Sequence, residues 1–188
     1  MNEYKISLIK NAIKGDKYSL ETLIKEEQHN VYATLYYLKK NDEDINDIMQ
    51  DIFIKLSCKI KQLKNPQYFK TWLNQIVINS YYDYLRKSRR QKNNLILDKI
   101  DSESSFEIPD LTDNPQDKIL KSELDYIIKN SIQNLPVHYK IPITLREIQG
   151  LSYYEISNIT NTSLGTVKSR ISRARSIIKD DIVRYTKD

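Results

Sequence analysis

Isoleucine, leucine and valine recur at every third or fourth position through most of this chain, and only three glycines interrupt its 188 residues. That spacing draws an apolar stripe along an α-helix, because about 3.6 residues complete a turn. Strand ladders joined by hairpins need more glycine-containing turns, so the expected fold is all-α. The spacing predicts a helix from about Glu3 to Ile13, stopped by Gly15, and a second from about Tyr18 to Lys40. The acidic run Asn41–Asp44 opens a third that reaches about Lys64. Asn65 and Pro66 break it, and a fourth, aromatic helix runs from about Gln67 to Arg90. These four are expected to form one bundle.

From 91 to 117 the periodicity disappears and Ser, Asp, Glu and Pro dominate, the composition of an extended acidic linker. Helices resume at about Asp117 to Gln133, Pro136 to Ile148, Tyr153 to Ile159 and Leu164 to Tyr185. Pro136 suits a first helical turn and Gly150 a stop. The expected architecture is therefore two small helical domains, 1–90 and 118–188, joined by the linker 91–117.

The charge follows the same division. Lys and Arg outnumber Asp and Glu by 16 to 11 in residues 1–90 and by 12 to 7 in 118–188, while the linker has 2 against 7. Two basic domains around an acidic tether make polyanions plausible partners. The one cysteine, Cys58, excludes an internal disulfide, and its apolar neighbours predict a buried, inert thiol in a reducing, cytoplasmic setting. The opening MNEYKISLIKNAIKGDK scatters its charges, so it reads as neither signal peptide nor membrane span.

The segment SYYEISNITNTSLGTVKSRISRARSIIK carries the most specific pattern. Ser152 and Glu155 have the spacing of a capping box, Asn161 suits a left-handed turn, and Ser163 can cap the next helix. At 100° per residue, Leu164, Val167, Ile171, Ala174, Ile178 and Ile182 share an arc of about 80°, the expected core side. Opposite lie Ser169, Ser172, Arg173 and Ser176, flanked by Lys168, Lys179 and Arg170. Short hydroxyls allow close approach, Arg173 can form two hydrogen bonds to a guanine edge, and the flanking cations can meet phosphates, which fits a DNA major groove. Arg175 points along the apolar arc and is expected to play a structural part.

In YFKTWLNQIVINSYYDYLRKSRR, Gln75, Asn79, Tyr82, Arg86, Arg89 and Arg90 form a polar stripe. Trp72 stands at its border, and Phe69, Leu73, Ile76 and Val77 face inward. Aromatic rings beside cations are what unstacked bases require, each stacked base contributing ~1 to 3 kcal/mol. For Trp72 taken alone packing is the favoured role, and Tyr81 and Tyr84 read as packing. On the third helix Ile45, Ile48, Met49, Ile52, Leu56 and Ile60 share one side, while Asp47, Gln50 and Asp51 surround Ile54 on the other. An apolar residue ringed by acids is either a protein-docking anchor or a lone exposed isoleucine.

Taken together, DINDIMQDIF…FKTWLNQIVINSYYDYLRKSRR resembles region 2 of bacterial RNA polymerase sigma factors, and LSYYEISNITNTSLGTVKSRISRAR resembles their region 4. Two such segments and a short linker resemble the extracytoplasmic-function (ECF) group. The resemblance implies a dissociable subunit that binds core RNA polymerase and directs promoter-specific initiation. It implies docking on polymerase by Asp47, Gln50, Asp51 and Ile54. It implies minus-10 DNA contacts by Trp72, Gln75, Asn79, Tyr82, Arg86, Arg89 and Arg90, with the Asn65–Lys70 loop capturing a flipped base. Minus-35 duplex contacts would fall to Ser163, Thr166, Lys168, Ser169, Arg170, Ser172 and Arg173. It further implies a linker threaded toward the RNA exit channel, and an anti-sigma factor that can hold the chain at the inner face of the membrane. No cofactor, metal or enzymatic chemistry is expected: His29 and His138 lie in different expected domains without nucleophile or metal-ligand spacing. A stand-alone helix-turn-helix regulator is the alternative, and it leaves the acidic patch and the aromatic-basic helix without a task.

Overall fold

The computed structural model describes residues 2–39, 43–94 and 115–185. Among them are eight α-helices and no strand: α1 (Glu3–Lys14), α2 (Lys17–Leu38), α3 (Glu43–Lys59), α4 (Phe69–Asn94), α5 (Pro115–Asn134), α6 (Val137–Glu147), α7 (Tyr153–Thr160) and α8 (Leu164–Tyr185). The fold is all-α. Residues 95–114, the body of the expected acidic linker, lie outside the described residues.

Local chemistry accounts for the helix ends. Asn2 caps α1 by accepting the Lys5 amide at 3.0 Å, and Gly15 ends it at φ 97°, a geometry that costs an L side chain energy. The third helix is shorter than expected. α3 stops at Lys59 and tightens into a 3-10 turn, Ile60–Gln62, because the last carbonyls of a helix are readily satisfied by tighter bonding. A second such turn, Pro66–Tyr68, is capped by the Asn65 side chain, which accepts the Gln67 amide at 3.0 Å. Pro136 lies just outside α6 rather than in its first turn, and α6 carries Pro142 in its interior, where the bond to the His138 carbonyl is lost.

The helices fall into two compact units, one of α1, α2 through Leu35, α3 and α4, the other of the end of α2 from Tyr36 with α5 to α8. In the first, Ile9, Leu23, Leu35, Ile45, Ile52, Leu56 and Phe69 are almost wholly enclosed in one apolar core. Burying each such side chain contributes roughly 1.5 to 3 kcal/mol. Phe69, Leu73, Ile76 and Val77 occupy the inward side of α4, as their spacing predicts. The second unit closes around Ile141, Ile143, Leu145, Ile156, Val167, Ile171 and Ala174.

Two burial expectations fail. Cys58 is exposed, since α3 turns it to within about 40° of Ile54 at 100° per residue, away from the core. Leu164, placed on the core arc of α8, is 41% exposed. It is the first residue of its helix, one turn before the first buried position, Val167.

Candidate nucleic-acid interface and the groove of the first unit

In the second unit the helix-turn-helix is built from its caps. Ser152 Oγ accepts the Glu155 amide at 3.2 Å, and Glu155 Oε2 accepts the Ser152 amide at 2.8 Å, so two free amides at the start of α7 are satisfied reciprocally. Asn161 takes the left-handed conformation at φ 50° and turns the chain. Ser157 Oγ bonds the Thr162 carbonyl at 2.6 Å, stitching α7 to the turn. Ser163 then caps α8, its Oγ accepting the Thr166 amide at 3.1 Å. Both helices and the turn between them are thus fixed by contacts local to the quoted motif.

Val167, Ile171 and Ala174 anchor α8, which leaves Lys168, Ser169, Ser172 and Arg173 exposed together. Ser163 is exposed at the helix start, while Thr166 and Arg170 are half-buried at the margin. Ser169 folds its hydroxyl back onto the Thr166 carbonyl at 3.0 Å. Such a face has no bulky apolar side chain and carries cations at its edges, the surface that lies against a phosphate-lined groove. Arg175 takes the structural part its position predicts, pairing with Glu147 of α6 at 2.6 Å.

In the first unit α3 and α4 enclose a groove of about 470 Å³. α3 contributes Asp47, Asp51 and Ile54; α4 contributes Asp83, Arg86 and Arg90. Residues expected at two separate sites therefore face one another across a single groove. Ile54 is 54% exposed, and Asp47, Gln50 and Asp51 are exposed around it. The groove is charged on both walls. Lys55 reaches from α3 to Ser80 at 2.9 Å and to Asp83 at 3.3 Å, and Arg86 pairs with Asp83 one turn along α4. Asp83 is held below the usual carboxylate range, first by the Arg86 hydrogen bond, against a smaller opposing effect of burial.

The polar stripe of α4 divides in two. Asn79, Tyr82, Arg86, Arg89 and Arg90 are exposed, whereas Gln75 is half-buried and donates to Asn79 at 3.2 Å. Trp72 is partly buried against the core, its ring 6.1 Å from Phe69, which favours the packing role expected of it. Lys55 and Asp83 were not singled out by periodicity. The three-residue spacing of Asp83 and Arg86 was the available signal for one of them. Among the described residues no group of three or more His, Cys, Asp and Glu is placed to hold a metal ion, and no helix is long and apolar enough to cross a membrane.

The fold and these surfaces define a helical protein of two compact units, each with an exposed charged face. Sigma-70 region 2 matches residues 23–91, and Sigma-70 region 4 matches residues 126–178. The chain is 37% identical to the ECF RNA polymerase sigma-E factor of Haemophilus influenzae over 180 residues, 94% of both chains. It is 34% identical to the Escherichia coli K12 protein of the same name, over 93% of this chain and 92% of that one. Two solved structures share the fold. CnrH, solved with the cytosolic domain of CnrY, matches 97% of this chain and 99% of its own with TM-score 0.67 at 17% identity. Sigma factor RpoE, solved with the anti-sigma factor NepR from Bartonella quintana, matches 86% of this chain and 97% of its own with TM-score 0.68 at 23% identity. The chain belongs to the ECF sigma factors of RNA polymerase, a family of regulatory DNA-binding proteins.

Proposed function

We propose that this chain binds core RNA polymerase as its promoter-recognition subunit and performs no chemistry itself. The observation that carries this is the presence, in one chain, of an exposed serine-arginine face on a capped helix-turn-helix and an exposed, acid-ringed Ile54 on a separate unit. A regulator acting on duplex alone has a use for the first and none for the second.

In this reading Asp47, Gln50, Asp51 and Ile54 dock on the polymerase. The α8 face, with Ser163, Thr166, Lys168, Ser169, Arg170, Ser172 and Arg173, reads the minus-35 element as closed duplex. Asn79, Tyr82, Arg86, Arg89 and Arg90 hold the minus-10 strand, Gln75 supports Asn79, and Trp72 braces α4 from the core side. Extruding one base costs a few kcal/mol, and a pocket for it in the Asn65–Lys70 loop offsets that cost while reading its identity. The acidic linker serves as tether and as a negatively charged occupant of the path toward the RNA exit channel. The setting is cytoplasmic, with an anti-sigma factor able to retain the chain at the inner face of the membrane.

The test is assembly. The full chain mixed with sigma-free core polymerase co-elutes with it on gel filtration, and the assembled complex, unlike core alone, retains promoter duplex selectively. Separate elution overturns the proposal.

A further inference from the structure

Arg173 and Arg175 lie two positions apart on α8, and both reach α6, yet they commit their donors differently. Arg175 turns Nε and NH2 together onto Glu147 Oε1, at 3.1 and 2.6 Å. Those two groups form one of the edges with which a guanidinium makes paired contacts, so that edge is occupied. Arg173 gives only NH1, to the Tyr139 hydroxyl at 3.4 Å. Its Nε–NH2 edge is left uncommitted by this contact.

We propose that Tyr139 is a positioning residue for Arg173: its hydroxyl holds the guanidinium by NH1 so that the Nε–NH2 edge is presented to a base in the major groove. This rests on the reading of α8 as the duplex-reading helix. Tyr139 is suited to the part because it is itself fixed. It lies in the first turn of α6, its amide bonded to the Pro136 carbonyl at 2.9 Å. Its ring is tilted 55° against His138 at 4.1 Å, and it is half-buried where Arg173 is exposed. The next residue, Lys140, is buried and donates to the Gln133 carbonyl at 2.6 Å, which secures the same turn.

Arginine loses much side-chain freedom when it docks, and a contact that restricts it beforehand lowers that loss. The 3.4 Å distance is long for a hydrogen bond from a charged donor, so the phenol guides the side chain without competing with a base edge.

The test uses Tyr139→Phe in the full chain assembled with core polymerase, since this variant keeps the ring and removes one oxygen. Binding is measured on a pool of promoter duplexes randomised across the minus-35 element. The expected result is a loss of about 2- to 10-fold on duplexes bearing the base pair that Arg173 prefers. Duplexes substituted at that pair show no loss, and Tyr139→Phe adds nothing in an Arg173→Ala background. An equal loss on every duplex, an additive loss beside Arg173→Ala, or no loss overturns the proposal. If Arg173→Ala alone alters preference at no position, the base-reading role of α8 is what fails, and the proposal falls with it.

Discussion

The hydroxyl of Tyr84 on α4 donates to the carboxylate of Asp44 in the first turn of α3 at 2.8 Å, joining the two walls of the groove. The same groove is crossed by Lys55, so α3 and α4 are held by polar contacts on the side where Ile54 emerges. Tyr84→Phe keeps the ring and removes this bond. It should destabilise the first unit by about 1 to 2 kcal/mol, read as a lower midpoint in chemical denaturation with an unchanged slope.

Two phenols of α4 give the stability a defined alkaline limit. Burial pushes Tyr81 up to about 12, and Tyr84 is raised well above an ordinary phenol by burial and then by the Asp44 bond. Both hold their protons more tightly folded than unfolded. Their contribution is complete below the unfolded value near 10 and is lost as pH rises through the folded values. Folding stability should therefore fall between about pH 10 and 12, and Tyr81→Phe should flatten that fall in denaturation curves taken across this range.

Ile54 and Asp51 test the docking surface. Each arginine substitution, Ile54→Arg or Asp51→Arg, puts a cation where an apolar knob or an acid stands, and both positions are exposed, so folding is spared. Affinity for sigma-free core should drop at least about tenfold in competition binding, a cost of ~1.4 kcal/mol or more. Affinity unchanged in both variants removes this surface from the interface.

Arg173 and Lys168 separate base reading from backbone holding. Arg173→Ala should cost ~1 to 3 kcal/mol at one promoter position and little elsewhere. Lys168→Ala should weaken all duplexes alike and lower the salt dependence by about one counterion. Titrations at several salt concentrations on matched and substituted duplexes distinguish the two.

The helix-turn-helix was the most legible part of the chain because its determinants are local. Ser152, Glu155, Asn161 and Ser163 each bond a group within four residues of themselves, and each does in space what its spacing predicts. The groove was half legible. Periodicity exposes Ile54 and the arginines of α4 but cannot show that α3 and α4 set them opposite one another, since helix pairing depends on the whole core. Lys55 crossing to Ser80 and Tyr139 meeting Arg173 were out of reach for the same reason, being 25 and 34 residues apart in sequence. Cys58 is exposed, as its angle on α3 and not its apolar neighbours dictates. Apolar neighbours in sequence say little about burial, whereas position around the helix says much.

The most direct measurement of the central claim is transcription by sigma-free core polymerase on promoter duplexes, with permanganate probing of thymines upstream of the start. Added chain should produce transcripts from discrete starts and make thymines of the minus-10 element reactive. A protein that binds the duplex equally with or without core, yields no transcript and leaves those thymines unreactive would contradict it.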